Sequence, residues 1–113
     1  MTPKPLTILF VCSRNQWRSP TAEAIYRNVD GLDVRSAGTA KSARKRVNED
    51  DLNWADLVVV MEQHHLQRLR EDFRDVMQSK RFHVLHIPDE FKYMAPELIE
   101  EIESSMDEIL NGR

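Results

Sequence analysis

Two patterns of apolar and polar residues follow one another along the chain, and the first predicts strands. Continuous apolar, β-branched runs at Thr7–Cys12 and Leu57–Met61 are typical of strands buried on both faces of a parallel sheet. A shorter strand fits Leu32–Ser36, and Phe82–Ile87 gives a last strand before Pro88 interrupts it. The sequence therefore predicts four strands, numbered 1 to 4 in chain order.

The second pattern is helical and fills the intervals between these strands. Ser19 is expected to cap a first helix that has Pro20 at its first position. Asn48, with an acidic residue three positions later, is expected to cap a short helix that ends at Trp54. Apolar stripes predict one helix before strand 4 and another at the C-terminus: Leu66, Leu69, Phe73, Val76 and Met77 in the first, and Leu98, Ile99, Ile102, Met106, Ile109 and Leu110 in the second.

Strands that alternate with helices form right-handed βαβ units. We therefore expect a single small α/β domain over residues 1–113, in three layers, with a parallel sheet between helices on both faces. In such sheets ligands bind beyond the carboxyl ends of the strands. Cys12 ends strand 1 at that edge, and the segment after Ile87 leaves strand 4 there. These two segments are expected to meet at one site.

Composition excludes several classes of protein. The chain has 113 residues and 41% apolar content, which allow one modest core. Its formal net charge of −3 disfavours a dedicated nucleic-acid binder. The apolar stretch of strand 1 is too short to cross a membrane. One cysteine cannot form an internal disulfide, so we expect a reducing, cytoplasmic location.

This one cysteine lies six positions before an arginine, in the loop between strand 1 and the first helix. A loop of this kind can turn its backbone N–H groups inward to bind an anion. The Arg18 guanidinium can hold two oxygens of a phosphate at once, and positive surroundings favour the thiolate form of Cys12. The loop thus predicts a nucleophile that faces an oxyanion clamp.

The motif Cys12-x5-Arg18-Ser19-Pro20, between a strand and a helix, resembles the low-molecular-weight protein tyrosine phosphatases. The resemblance continues through Ala22-Glu23-Ala24, through SAGT at 36–39 and through ADLVVVM at 55–61. It implies a four-stranded sheet of order 2-1-3-4 and a hydrolase of phosphomonoesters without cofactor or metal. The expected substrate is a phosphorylated protein bearing phosphotyrosine, or a small aryl phosphate, and the product is inorganic phosphate. No nucleic acid, membrane or metal is expected as a partner.

The resemblance also assigns roles to residues of the site. Cys12 attacks phosphorus to give a phosphocysteine, Arg18 clamps the phosphoryl oxygens, and Ser19 donates a hydrogen bond to the sulfur. Asp89, after strand 4, is the expected general acid and base, with Glu90 as the alternative. The other loop residues expected at the phosphate are Ser13, Arg14, Asn15, Gln16 and Trp17.

Some residues of the site depart from the family pattern. Arg14 stands where relatives usually have glycine, and Trp17 stands where many have a second cysteine. Trp17 either lines the mouth of the pocket or packs for stability. Asn15 is expected to adopt a left-handed conformation that organises the loop. Phe91 and Tyr93 are candidates for an aromatic rim.

Two further groups of residues lie outside the family motifs. The basic cluster of Lys41, Arg44, Lys45 and Arg46 either steers phosphorylated substrates or is a solvated loop. His64 and His65, as neighbours on a helix, should point in different directions, so no metal site is expected.

Other classes of protein use a Cys-x5-Arg loop. An arsenate reductase of this fold would need an external thiol, because this chain has no second cysteine. A non-catalytic phosphate-binding module would bind anions without turnover. A phosphocysteine carrier of a sugar-uptake system is disfavoured, because Arg18 and a candidate acid at Asp89 together indicate hydrolysis.

Overall fold

The computed structural model describes residues 4–112, which form four strands and five helices. The strands are all parallel and lie in the order β2-β1-β3-β4. The predicted α/β fold and strand order are thus confirmed. Along the chain the elements are β1 (Leu6–Cys12), α1 (Arg18–Tyr26), β2 (Leu32–Gly38), α2 (Glu49–Trp54), β3 (Leu57–Val60), α3 (Gln63–Asp72), α4 (Arg74–Gln78), β4 (Arg81–Val84) and α5 (Pro96–Asn111).

The central strand β1 is buried on both faces, and its alternate side chains divide the interior into two cores. Ile8, Phe10 and Cys12 belong to the core that α1 and α5 cover. Leu9 and Val11 belong to the core that α2, α3 and α4 cover. This two-sided burial is the reason why the sequence of β1 is apolar throughout instead of alternating.

The ends of two early elements depend on contacts that are distant in sequence. α1 begins at Arg18, with Trp17 at its N-cap position, so the prediction that Ser19 caps this helix is wrong. The Ser19 hydroxyl lies within the first turn and contacts the sulfur of Cys12 instead. β2 continues to Gly38, beyond the predicted end, because its last residues pair with the end of β1.

The apolar stripe before β4 forms two helices instead of one. Phe73, with φ −134° and ψ 48°, leaves the helical conformation and separates α3 from α4. Its N–H still donates to the carbonyl of Leu69, and the stripe still faces a single core.

The predicted cap of α2 is confirmed, since the Asn48 side chain accepts a hydrogen bond from the N–H of Asp51 at 2.8 Å.

The last strand is shorter than predicted, because β4 ends at Val84 and His86 has a left-handed φ of 58°. The N–H groups of Leu85 and Ile87 nevertheless donate to carbonyls at the end of β3, at 2.9 Å each. The chain after β4 is therefore held at the carboxyl edge of the sheet, and Asp89 follows directly.

The C-terminal helix α5 buries Leu98, Ile102 and Met106 beside α1, as its apolar stripe predicts. Within residues 4–112, no helix has the length and apolar character needed to cross a membrane.

Gly38 provides a test of how tightly β2 packs against the loop after β1. A Cβ at this position would lie 2.6 Å from the carbonyl oxygen of Ser13 and 2.7 Å from the Cβ of Ala43. We expect Gly38→Ala to lower the free energy of unfolding by about 1–3 kcal/mol, because backbone atoms must shift to make room. Urea denaturation measures this loss.

Gly31→Asn is the matched control for this substitution. Gly31 has a φ of 87° and open space where a Cβ would lie, and asparagine tolerates left-handed backbone better than most residues. It should lose less stability than Gly38→Ala. Equal losses in the two variants would contradict steric crowding at Gly38.

Candidate active site

The loop between β1 and α1 is held from outside by the segment 39–44. The carbonyls of residues 12, 13 and 14 accept hydrogen bonds from the backbone N–H groups of residues 39, 40 and 44, and the carbonyl of Asn15 accepts one from Arg44 Nε, all at 2.9–3.0 Å. In a trans peptide the C=O and N–H point in opposite directions, so the N–H groups of residues 13–16 point away from this segment. Successive N–H groups on one side form an anion-binding nest.

Asn15 gives the loop its shape. It has the predicted left-handed backbone, with φ 56°, and its buried side chain donates to the hydroxyls of Ser19 and Ser36 at 2.9 Å each. Arg14 does not share the positive φ, so the loop forms without a glycine at that position. The departure of Arg14 from the family pattern therefore leaves the backbone of the loop intact.

The sulfur of Cys12 lies at the base of the loop, 2.9 Å from the hydroxyl oxygen of Ser19. That oxygen already accepts a hydrogen bond from Asn15, and the hydroxyl proton can be donated either to the sulfur or to the carbonyl of Ala37 at 3.3 Å. A hydroxyl that donates to sulfur stabilises negative charge there. Ser19 is thus placed as the resemblance to the phosphatases implies.

Arg18 is 2% exposed and is anchored through one of its nitrogens. Nη1 donates to Glu62 Oε1 and to the carbonyl of Ile87, the latter at 2.8 Å. Nε lies 3.6 Å from Asp89 Oδ1. Because Nη1 is occupied, the edge formed by Nε and Nη2 is the one that can hold two oxygens of a phosphate.

Glu62 is the anion that balances this buried guanidinium. Burial by itself raises the pKa of the Glu62 carboxyl, but the hydrogen bond and charge of Arg18, together with His64, outweigh it and lower that pKa below its ordinary value. The carboxylate is therefore ionised near neutral pH and fixes the orientation of Arg18.

A pocket of about 380 Å³ opens above the loop. Asp89 lies on its wall and is 55% exposed, whereas Glu90 does not line it. Phe91 packs against the core near α1 and α5, and Tyr93 lines a neighbouring groove, so neither predicted rim residue borders this pocket. The residues that line it are Cys12, Ser13, Arg14, Gln16, Trp17, Arg18 and Asp89.

His65 is a buried residue of the site that the sequence analysis did not include. Its Nδ1 accepts a hydrogen bond from the N–H of Glu62 at 3.0 Å, so the neutral ring carries its proton on Nε2. Nε2 then donates to the hydroxyl of Ser13 at 2.8 Å. Burial, with the charges of His64 and Arg18, lowers the pKa of His65 to about 3. His65 is thus a neutral donor that orients Ser13.

The prediction that His64 and His65 point apart is wrong, since their ring centroids lie 4.1 Å apart. His65 turns inward to cap the first turn of α3, while His64 leans towards Glu62, with 3.4 Å between Nε2 and Oε1. The three side chains together are close enough to hold a metal ion. Both ring nitrogens of His65 are already hydrogen-bonded, however, which leaves this residue without a free lone pair for a metal.

Glu62 and Ser36 also complete the site without having been predicted. A signal for Glu62 was present, because it follows strand 3 directly and so lies at the edge where ligands bind. Ser36 belongs to the SAGT stretch, and its hydroxyl joins Asn15 to the carboxylate of Glu23.

Residues 7–49 match the family model described as low molecular weight phosphotyrosine protein phosphatase. The resemblance seen in the sequence is thereby confirmed. No curated protein matches the sequence significantly.

Solved structures of this phosphatase type share the fold. YwlE arginine phosphatase from Geobacillus stearothermophilus is 22% identical, with a TM-score of 0.71 over 96% of this chain and 94% of that chain. The low molecular weight protein tyrosine phosphatase SP-PTP from Streptococcus pyogenes is 19% identical, with a TM-score of 0.78 over 94% and 91%. The tyrosine phosphatase Wzb from Escherichia coli K30, in complex with phosphate, is 19% identical, with a TM-score of 0.75 over 94% and 96%. Family match and fold together support phosphatase activity.

The neutral state of His65 predicts how stability depends on pH. The folded state keeps this ring unprotonated down to about pH 3, whereas a histidine in the unfolded chain binds a proton near pH ~6.5. As the pH falls below about 6.5, protonation therefore favours unfolding, by up to about 1.4 kcal/mol per pH unit. Urea denaturation near pH ~7 and ~5 should show this loss in the wild type and a smaller one in His65→Asn.

His86→Asn is the control, because His86 is exposed, has no part in the contacts of His65 and Glu62, and has a left-handed φ of 58° that asparagine tolerates; it should lose as much stability between the two pH values as the wild type. An unchanged pH dependence in His65→Asn would refute the assignment of a buried neutral ring.

Proposed function

We propose that the protein is a cysteine-dependent protein tyrosine phosphatase that acts without a metal. One observation carries this proposal. The sulfur of Cys12, the Nε edge of Arg18 and the carboxylate of Asp89 all border a single pocket whose base is the loop with its inward N–H groups. A nucleophile, an oxyanion clamp and a proton donor are the groups that phosphomonoester hydrolysis through a covalent intermediate requires.

In the first step the backbone N–H groups of the loop and Arg18 bind the phosphoryl oxygens. The Cys12 thiolate attacks phosphorus in line, so that a sulfur–phosphorus bond forms while the bond from phosphorus to the aryl oxygen breaks. Asp89 in its acid form gives its proton to the departing oxygen. The product of this step is a phosphocysteine and a free phenol.

In the second step Asp89, now a carboxylate, accepts a proton from a water molecule that attacks the phosphocysteine. The sulfur–phosphorus bond breaks, inorganic phosphate forms, and the sulfur leaves as a thiolate. The Ser19 hydroxyl, 2.9 Å from the sulfur, stabilises this leaving thiolate by donating to it. Arg18 stays in contact with the transferring group throughout.

Asp89 favours hydrolysis over simple anion binding. A carboxylate on the wall of a pocket that binds phosphate repels the ligand, which a binding module would avoid and a general acid must accept. Reduction of arsenate would need a thiol from outside, because Cys12 is the one cysteine of the chain. Because a single cysteine cannot form an internal disulfide, we also propose a reducing, cytoplasmic compartment for the enzyme.

The substrate side of the proposal rests on Trp17. Its side chain lines the pocket and is 37% exposed, so its ring is available to stack on the aromatic ring of phosphotyrosine or of a small aryl phosphate. A related fold is that of an arginine phosphatase. Phosphoarginine is therefore the comparison substrate for any measurement of specificity.

The experiment that tests the chemistry is hydrolysis of an aryl phosphate at mildly acidic pH, with a chelator present. We expect the wild type to turn over and Cys12→Ser to lose activity by more than about 1,000-fold, because serine is a far weaker nucleophile than a thiolate. Calorimetry with inorganic phosphate should show that Cys12→Ser still binds the product. Turnover that persists in Cys12→Ser would refute the mechanism, and phosphate binding without any wild-type turnover would favour the binding module.

The choice between Asp89 and Glu90 can be tested by varying the leaving group. Asp89→Asn should lower kcat/KM for phenyl phosphate by about 100-fold or more, and for an activated nitrophenyl phosphate far less, because a good leaving group needs little proton donation. Glu90→Gln, the matched neutral substitution outside the pocket, should change neither rate much. The same loss on both substrates in Asp89→Asn, or a selective loss in Glu90→Gln, would move the role of acid to Glu90.

A further inference from the structure

A second groove, of about 350 Å³, opens beside the phosphate pocket, and Gln16 lines both. Pro20, Glu23 and Arg27 form one side of it along α1 and its end. Arg44 of the basic cluster and Tyr93 after β4 complete its lining. A chain whose phosphorylated residue occupies the pocket would therefore continue into this groove.

The two arginines of the groove form no ion pair with the described residues of the protein. Among residues 4–112, neither Arg27 nor Arg44 lies within 4.0 Å of a carboxylate oxygen. Arg44 is fixed to the phosphate loop by its Nε and its backbone N–H, which leaves its two terminal nitrogens for another ligand. Glu23, the acidic residue of the lining, accepts a hydrogen bond from Ser36. The lining thus holds two cations and one carboxylate, in a chain of net charge −3.

Exposed apolar side chains border the same region. Trp17, Tyr93 and Met94 are among the large apolar side chains that remain exposed. The hydroxyl of Thr21 links two of them, donating to the carbonyl of Trp17 at 2.6 Å and accepting from the N–H of Met94 at 2.9 Å. That bond supports a left-handed φ of 60° at Met94, which would otherwise be unfavourable. Tryptophan, tyrosine and arginine are enriched where proteins bind one another tightly.

We propose that this groove binds the polypeptide next to the phosphorylated residue and pairs an acidic side chain of that polypeptide with Arg27 and Arg44. The inference rests on the proposed function and narrows it, because it makes the substrate an acidic phosphorylated protein. It also gives the basic cluster a role, since Arg44 becomes a substrate contact held at a fixed position beside the phosphate loop.

Binding of two phosphotyrosine peptides of equal length tests the groove. One has glutamate on both sides of the phosphotyrosine and the other has glutamine at the same positions. Calorimetry at low salt with Cys12→Ser, which cannot turn the peptides over, should give a Kd about tenfold lower for the acidic peptide. The two Kd values should converge at high salt, because the pairs are exposed. Equal Kd values at low salt would overturn the proposal.

Variants of the arginines test whether the preference for the acidic peptide arises in the groove. Arg27→Gln in the Cys12→Ser background should reduce the ratio of the two Kd values by about threefold, and the addition of Arg44→Gln should bring it close to one. Arg74→Gln is the control, since it removes the same charge from α4 on the opposite face of the sheet. A ratio that falls as far in Arg74→Gln as in Arg27→Gln would assign the effect to net charge and refute the groove.

Turnover of the same peptides by the wild type separates this proposal from the proposed function. A difference in Kd without turnover would refute phosphatase activity and leave the groove supported. Equal Kd and equal kcat/KM for the two peptides, with normal turnover, would refute the groove and leave the phosphatase supported.

Discussion

The buried guanidinium of Arg18 is the interaction on which both the fold and the site depend. Removing a charge from water costs several kcal/mol unless the charge is paired and hydrogen-bonded. Here one nitrogen is bonded to Glu62 after β3 and to the carbonyl of Ile87 after β4, while the residue itself follows β1. One side chain thereby joins the carboxyl ends of three strands. The orientation of Arg18, the proposed phosphate clamp, is therefore a consequence of how the sheet is assembled.

Around this clamp the structure separates two carboxylates by environment. Glu62 lies behind Arg18, in direct hydrogen-bond contact, and stays ionised. Asp89 lies on the pocket side of Arg18, more exposed and 3.6 Å from Nε. Below the clamp, His65 is kept neutral and adds no positive charge of its own. The charge beside Arg18 therefore comes from two carboxylates, one hydrogen-bonded to it and one exposed on the wall of the pocket.

Local patterns in the sequence were enough to predict the four strands, the cap at Asn48 and the left-handed backbone of Asn15, because these follow from the conformational preferences of the residues themselves. The errors arise where distant residues decide. Ser19 looked like a helix cap, but the helix starts two residues earlier than predicted, at Arg18, whose side chain bonds the carbonyl of Ile87 after β4. His65 bonds Ser13 across 52 positions, and no periodicity in either segment indicates that contact. The prediction of Phe91 in an aromatic rim was wrong for a similar reason, because Phe91 packs against an apolar core formed by distant residues.

The loop turns the peptide N–H groups of residues 13–16 to one side, and its four tethered carbonyls fix their direction. The side chains at 13, 14 and 16 are then free of that task, which is how an arginine can occupy a position where a glycine is usual. Under the proposed function, the backbone of this short segment would bind the phosphate, and its side chains would contact what the phosphate is attached to. Substitutions of these side chains would then alter contacts with the substrate while the backbone of the loop keeps its shape.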